Sequence, residues 1–191
     1  MTERIEEPTH EQLAAMETYR ERVHALYRDV RSWLENDDRF RVDQSPASVL
    51  DGLGEYEVDR LRVFAGGECV ADFTPIAATV ILAEGRVDAI GLVDYAWLNY
   101  YEKTPTATTT WTRRDGTVTL HTSPIILGID RPGWYWTDLR QEDGERFLDH
   151  DVLFELFEEI SDLEGQPPRP LPGGPPIVPQ NARSAEDPRS R

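Results

Sequence analysis

The sequence predicts an α+β fold in which an amphipathic helix precedes an antiparallel sheet of about six to eight short strands and a second helix follows it. Three observations predict this fold. Apolar residues recur at spacings of three and four near the N-terminus and again after residue 149, which is typical of helices buried on one side. Between them lie short β-branched and aromatic runs separated by turn residues. No helical crossover interrupts these runs, so we expect neighbouring strands to be antiparallel.

The first helix begins with a capping box. The Thr9 hydroxyl is available to the amide of Gln12, whose side chain reaches back to the start of the helix. A single apolar seam then runs to about Glu35 and comprises Met16, Tyr19, Val23, Leu26, Val30 and Trp33. We expect this seam to pack on the chain's own sheet, because little more than two heptads is short for a coiled coil. Pairing with a second copy through this helix is the alternative.

Short segments with strand composition fill the middle of the chain. The candidates are 39–43, 56–64, 69–73, 77–82, 87–92, 97–102, 108–113, 117–122 and 134–138. Gly66-Gly67, Glu84-Gly85 and Asp115-Gly116 are typical of tight hairpin turns. Each lies between two of these strand candidates. Segment 97–102 is so densely apolar that periodicity does not separate a strand from a short helix capped by Asp94, and we favour the strand.

The second helix is predicted to begin at Asp149, whose carboxylate is suited to cap the first turn. One face carries Val152, Leu153, Leu156, Phe157 and Ile160, and the helix ends near Asp162. Eight of the 14 prolines follow residue 165. We therefore divide the chain into a flexible N-terminus (1–8), one α+β domain (9–164) and a disordered proline-rich tail (165–191).

The chain is strongly acidic, with 36 acidic against 20 basic residues and a net charge of −16. The tail holds four Arg against two acidic residues, a net +2, which leaves 16 basic against 34 acidic residues, or −18, on residues 1–164. Cationic side chains supply most of the affinity for phosphate backbones, so this charge argues against nucleic acid and anionic membranes as partners. A single cysteine, Cys69, excludes an intrachain disulfide. Because neither a signal-like nor a membrane-spanning apolar run is found, we expect a cytoplasmic protein.

No arrangement of residues predicts a catalytic, metal or cofactor site. The four histidines lack the spacing of metal ligands. The sequence contains no Gly-x-Ser-x-Gly elbow and no phosphate loop. We therefore expect no catalytic residue, metal or cofactor and lean towards a non-enzymatic protein. The weak candidates for a polar pocket beside the aromatic strands are Asp88, His121, Asp149 and His150.

Three surfaces are candidates for binding a partner. The aromatic surface comprises Trp97, Tyr101, Trp111, Trp134 and Trp136. Strand alternation turns Trp134 and Trp136 the same way and Tyr135 the opposite way. The acidic face of the second helix comprises Glu155, Glu158, Glu159 and Asp162. The tail contains the polyproline ligand pattern Arg-x-Leu-Pro-x-x-Pro, which includes Arg169, Leu171 and Pro172.

These surfaces favour a non-enzymatic accessory or adaptor domain that binds another protein, or a second copy of itself, and such a domain needs an exposed contact surface. One alternative is a small enzyme or ligand-binding domain, which needs a convergent polar pocket beside the aromatic strands. The other is an acidic inhibitor or immunity-type protein, whose binding to a basic partner is expected to weaken with salt.

Overall fold

The computed structural model describes residues 8–137 and 144–163 and confirms the predicted α+β fold. Helix α1 (His10–Leu34) precedes the strands and helix α2 (His150–Ser161) follows them. The described residues form nine strands, slightly more than expected. They are β1 (Phe40–Asp51), β2 (Gly54–Ala65), β3 (Glu68–Ala77), β4 (Arg86–Ile90), β5 (Tyr95–Tyr101), β6 (Thr106–Thr112), β7 (Val118–Pro124), β8 (Gly133–Thr137) and β9 (Arg146–Phe147). The predicted tail lies outside the described residues, as do residues 1–7.

Seven strands form one antiparallel sheet in the order β1-β2-β3-β4-β5-β8-β9. Strands β1 to β5 are neighbours in chain order, as hairpin-length connections predict. Strands β6 and β7 leave this sheet and form a separate two-stranded ribbon. Both helices pack into one apolar core with the large sheet.

Helix α1 is fixed to the sheet by its apolar side and by two tyrosine hydroxyls. The predicted capping box is present at its N-terminus, and the buried seam packs on the chain's own sheet as expected. The Tyr19 hydroxyl donates to the Arg86 carbonyl at 2.5 Å, and the Tyr27 hydroxyl donates to the Phe73 carbonyl at 2.8 Å. Burial raises the pKa of both tyrosines well above the ordinary value of 10.0, so both hydroxyls stay protonated and able to donate.

Strand β1 is longer than predicted. The sequence indicated 39–43, whereas the strand continues past Pro46 to Asp51. The strand lies at the edge of the sheet and pairs only with β2, so the N–H that a proline lacks is not needed on the open side. The proline therefore marks an edge strand and not the end of a strand.

The predicted strand 77–82 is wrong. Strand β3 ends at Ala77, and the chain then turns through a bridge between Val80 and Ala83 before β4 begins. Leu82 adopts the left-handed conformation, with a φ of 68°. Ile81 beside it is 93% exposed, although its neighbours have the composition of a buried strand.

Helix α2 follows its sequence signals closely. The Asp149 carboxylate accepts the amide of Val152 at 3.0 Å, which confirms the predicted N-cap. The five predicted apolar residues are buried, and Asp162 ends the helix with a φ of 51°. In the described part of the chain, neither helix has the length and apolarity needed to cross a membrane.

Candidate functional site

A two-stranded ribbon, which we call the arm (residues 104–129), extends away from the large sheet. Its strands β6 and β7 pair with each other in register and pack closely against no other strand or helix of the described residues. The predicted turn joins them: Asp115 accepts the amide of Thr117 at 2.9 Å, and Gly116 has a φ of 85°. Each strand has seven residues, so the ribbon is about 24 Å long. At its root, Ile126 and Ile129 pack against a small cluster below β5 and β8.

The strands of the arm are exposed on both faces. Thirteen of their fourteen residues are exposed, and three of these are large and apolar. Trp111 is 65% exposed, Val118 59% and Leu120 67%. The strand register places Val118 and Leu120 on one face and Trp111 on the other. An isolated two-stranded ribbon is only marginally stable in water, and exposed apolar side chains on such a ribbon make it a candidate contact surface.

The arm also differs from the rest of the chain in charge. No residue in 104–112 or 117–129 carries a formal charge, with histidine neutral. The arm holds Arg113 and Arg114 against Asp115, a net +1. Since residues 1–164 sum to −18, the rest of this range carries −19. The arm is therefore a weakly basic, largely uncharged element on a strongly acidic body.

A second exposed apolar element lies at the same end of the large sheet. The turn 80–83 lies between β3 and β4, and the arm lies between β5 and β8. The Tyr100 amide at the end of β5 donates to the Gly85 carbonyl just before β4 at 2.9 Å, so both connections are at the same end of the sheet. The tip of this turn is the exposed Ile81, followed by the left-handed Leu82. A non-glycine residue held in that conformation costs of order 1–3 kcal/mol and is retained where the surroundings or the function require it.

A groove of about 390 Å³ lies beside the root of the arm, between α1 and the adjacent ends of β5 and β8. We call it the aromatic groove, because its walls include Trp33, Tyr100, Trp134 and Phe147. Two carboxylates of α1, Glu21 and Asp29, are exposed on its rim. None of the residues that line it belongs to β6 or β7 of the same chain.

Arg22 fixes one wall of the aromatic groove. Its guanidinium lies 4.2 Å from the centre of the Tyr100 ring and donates to the Glu84 carbonyl at 2.8 Å and the Glu102 carboxylate at 3.0 Å. Its own carbonyl accepts the indole N–H of Trp134 at 3.1 Å. Burial raises the pKa of Tyr100, and the charge of Glu102 raises it further, so the phenol stays neutral. The groove presents aromatic faces and an acidic rim, which suit apolar and cationic groups.

The aromatic surface predicted from the sequence is largely internal. Tyr101, Trp134 and Trp136 are each less than a tenth exposed, so they fill cores and are not available as an open contact surface. The alternation is as predicted, since Trp134 and Trp136 join the main core and Tyr135 joins the second cluster. The turn after β3 and the loop after β7 cover that second cluster, which removes the open aromatic face.

Two of the five aromatic candidates are more accessible. Trp97 is half-buried on the face of the sheet away from the helices, where the Arg86 guanidinium lies 4.4 Å from its ring centre. Trp111 is the most exposed of the five and lies in the arm. The most accessible aromatic candidate therefore lies in the arm and not in the large sheet.

The acidic candidates of α2 face solvent. Glu155 pairs with Arg146 at 2.6 Å. Glu158 and Glu159 are exposed, and Glu158 also supplies the carbonyl that accepts the amide of Asp162 at the end of the helix. A solvated helix face and a docking surface share these features, so binding through α2 stays a prediction.

The four polar pocket candidates lie on three different elements. Asp88 in β4 pairs with Arg86 at 2.6 Å. His121 is exposed in the arm, Asp149 caps α2, and His150 is exposed at the first position of that helix. None of them lines the aromatic groove. The groove was missed because its walls come from residues far apart in the chain, and no local pattern reports it.

One signal for the arm was present in the sequence. Segment 106–112 lacks the alternation of apolar and polar residues that a half-buried strand shows. Threonine instead occurs on both faces of β6, at Thr108 and Thr109 for example. Neither face of the hairpin carries more than two large apolar residues, which is too few to pack on a core, so this pattern indicates an exposed ribbon.

Within residues 8–137 and 144–163, no group of three or more His, Cys, Asp or Glu side chains is placed to hold a metal ion. Arg169, Leu171 and Pro172 lie outside the described residues, so the tail motif stays a prediction. No protein-family model, no curated protein and no solved structure matches this chain.

Proposed function

We propose that this chain is a protein-interaction domain whose principal contact surface is the arm. The supporting observation is a ribbon that exposes Trp111, Val118 and Leu120 and whose strands pack closely against no other described strand or helix. Trp111 on one face, and Val118 with Leu120 on the other, each present roughly 150–200 Å² of apolar surface, so a partner seated on one face gains of order 4–5 kcal/mol before the costs of association. Tryptophan is also among the residues that dominate binding energy when an interface buries them.

The charge distribution supports the same surface. Most of the chain is acidic and repels another acidic protein, whereas the strands of the arm carry no formal charge. A partner that contacts the arm meets apolar side chains and open strand edges, which also offer unpaired backbone groups. The arm is therefore the surface at which this chain binds a protein with the least electrostatic cost.

The turn 80–83 supports a contact at this end of the sheet. Ile81 is almost fully exposed and Leu82 is held in a strained conformation. Both lie at the end of the sheet from which the arm extends. A partner seated on the arm is positioned to cover this turn as well.

Photo-crosslinking in cells that express the full chain tests this proposal. A photoreactive amino acid replaces Thr119, which is exposed and pairs with Trp111 on the same face of the arm, in one variant. In the control it replaces Val93, which is 66% exposed in the turn between β4 and β5. We expect a defined cross-linked product from position 119 only, and its loss when Trp111→Ser is added. Equal products from both positions, or none from position 119, would contradict the assignment of the arm.

A further inference from the structure

We propose that the partner of the arm is a second copy of this chain, whose aromatic groove receives Trp111 and the arginines at the tip of the arm. This inference rests on the proposed function, because it takes the arm as the contact surface and names what the arm contacts. The dimer is reciprocal: each chain inserts its arm into the groove of the other.

Charge complementarity links the tip of the arm to the rim of the groove. Arg113 and Arg114 are exposed at the tip, and neither makes a salt bridge with another described residue. Glu21 and Asp29 on the rim are likewise without an ion pair in the described residues. These two carboxylates are eight residues apart on α1, which is about 12 Å along the helix. Exposed pairs of this kind are worth about 0–1 kcal/mol each, so they select the orientation more than they drive binding.

Apolar complementarity supplies the driving force. Arg113 follows β6 directly and donates its amide to the Thr117 carbonyl at 2.9 Å, which continues the register of the ribbon. Trp111 and Arg113 are two residues apart in that register, so both project from the same face of the arm. A face that directs Arg113 towards the acidic rim therefore directs Trp111 towards the half-buried aromatic side chains of Trp33, Tyr100 and Phe147 in the groove. Aromatic pairs contribute about 0.5–1.5 kcal/mol beyond the area they bury.

The same chain does not fill its own groove. The arm follows β5, which ends at Tyr101, and precedes β8, which begins at Gly133, so it joins the body directly beside the groove. No residue of β6 or β7 lines the groove of the same chain. Because root and groove are neighbours, a two-fold axis beside them lets each arm cross to the partner's groove. Such an isologous contact closes after two chains and does not propagate.

The size of the contact predicts a dimer of moderate affinity. A ribbon about 24 Å long and two strands, or about 10 Å, wide buries roughly 500 Å² when one face is seated, counting both surfaces. Two symmetric contacts bury roughly 1,000 Å², near the lower limit for a specific interface. We expect a dissociation constant in the micromolar range and a population that shifts with concentration.

Sedimentation velocity of the full chain with two complementary charge reversals tests this inference. The arm variant carries Arg113→Glu and Arg114→Glu, and the groove variant carries Glu21→Arg and Asp29→Arg. A control with the same change of charge as the groove variant carries Glu158→Arg and Glu159→Arg on α2. All positions are exposed, so we expect native circular dichroism from each variant.

The unmodified chain and the α2 control are expected to reach twice the monomer mass of 21.8 kDa as concentration rises over about 1–200 µM. The arm and groove variants are each expected to stay monomeric alone and to dimerise when mixed, because the reversed arm then meets the reversed groove. A chain that stays monomeric throughout, or a mixture that does not recover the dimer, overturns the inference. Photo-crosslinking from position 119 to a different protein would retain the proposed function and reject the second copy as partner.

Discussion

Substitution by alanine is predicted to affect the stability of the domain very differently at two tryptophans of this chain. Trp134 is 6% exposed in the main core, and its indole N–H donates to the Arg22 carbonyl at 3.1 Å. Trp111 is 65% exposed in β6, a strand that packs closely only against β7 among the described strands and helices. We predict that Trp134→Ala destabilises the domain strongly and that Trp111→Ala leaves the stability of the domain almost unchanged.

The magnitudes follow from burial. Folding removes most of the Trp134 side chain, roughly 250 Å², from water. At about 25 cal/mol per Å², this sets an upper bound near 6 kcal/mol on the stabilisation from its burial. Measured tryptophan and phenylalanine truncations in cores fall at about 3–5 kcal/mol, and we expect that range here. Trp111 covers roughly 90 Å², or at most about 2 kcal/mol, and this loss falls on local opening of the arm. The unfolding free energy of the body is then expected to change by less than about 0.5 kcal/mol.

Urea unfolding followed by far-ultraviolet circular dichroism measures both effects, at a protein concentration low enough that association does not contribute. If the Trp134→Ala variant does not fold, Trp134→Phe serves instead. It keeps an aromatic ring at this position, removes the hydrogen bond to the Arg22 carbonyl, and is expected to lower the unfolding free energy by about 1–2 kcal/mol. A loss of more than about 2 kcal/mol from Trp111→Ala at low concentration would show that the arm belongs to the cooperative core, and the reasoning about its independence would be refuted.

Three further substitutions probe the body. Tyr27→Phe removes a hydroxyl donated to a buried carbonyl of β3, so we expect a loss of about 1–3 kcal/mol in the same unfolding assay, and no loss would deny that this bond fixes α1. Gly91→Ala places a Cβ 2.1 Å from the Ile160 carbonyl oxygen, whereas Gly52→Ala meets nothing within 4 Å. Gly91→Ala is expected to lower the unfolding free energy by about 1–3 kcal/mol, and Gly52→Ala is expected to be tolerated. Equal losses of unfolding free energy would contradict the packing of α2 on the turn between β4 and β5. Burial raises the pKa of Glu145 above its ordinary value of 4.5, although bonds from two neighbouring hydroxyls oppose the shift. A raised carboxyl pKa lowers folding stability as pH rises from 4.5 through the folded-state value. Glu145→Gln is therefore expected to gain stability relative to the parent at neutral pH and to lose that gain below about pH 4.5, and a difference independent of pH would deny the shift.

The helices and their ends could be predicted because their signals are local. The capping box at Thr9 and the cap at Asp149 each depend on residues within one turn. The seam from Met16 to Val30 repeats with the helical period, so it identifies the buried side without knowledge of the rest of the fold. The antiparallel order of β1 to β5 followed from the short connections.

The turn after β3 and the arm depended on contacts between distant residues. Val80-Ile81-Leu82 resembles a buried strand, but the main chain reverses there and leaves Ile81 exposed. The hairpin around Asp115-Gly116 was predicted, and its threonine content indicates an exposed ribbon, yet no local pattern predicts that β5 pairs with β8. Strand composition indicates extended backbone and does not identify the neighbouring strand.

The candidate site was only partly accessible to sequence reasoning. The interest in aromatic residues was justified at Trp111, whereas Trp134 and Trp136 are buried because residues distant in sequence cover them. The charge difference between the arm and the body could be read from the sequence, since 104–112 and 117–129 lack charged residues. The aromatic groove could not be predicted from the sequence, because its helix and strand residues meet only in the folded chain.

Hydrogen–deuterium exchange of the full chain, dilute and in its assembled state, tests the central claim that the arm is the contact surface. The amides of β6 and β7 lie in a ribbon exposed to solvent, so we expect them to exchange readily in the dilute chain and much more slowly in the assembly. Exchange in α2 and in the turn between β4 and β5 is expected to stay the same. Protection of those elements on assembly, with an unchanged rate in the arm, would contradict the account.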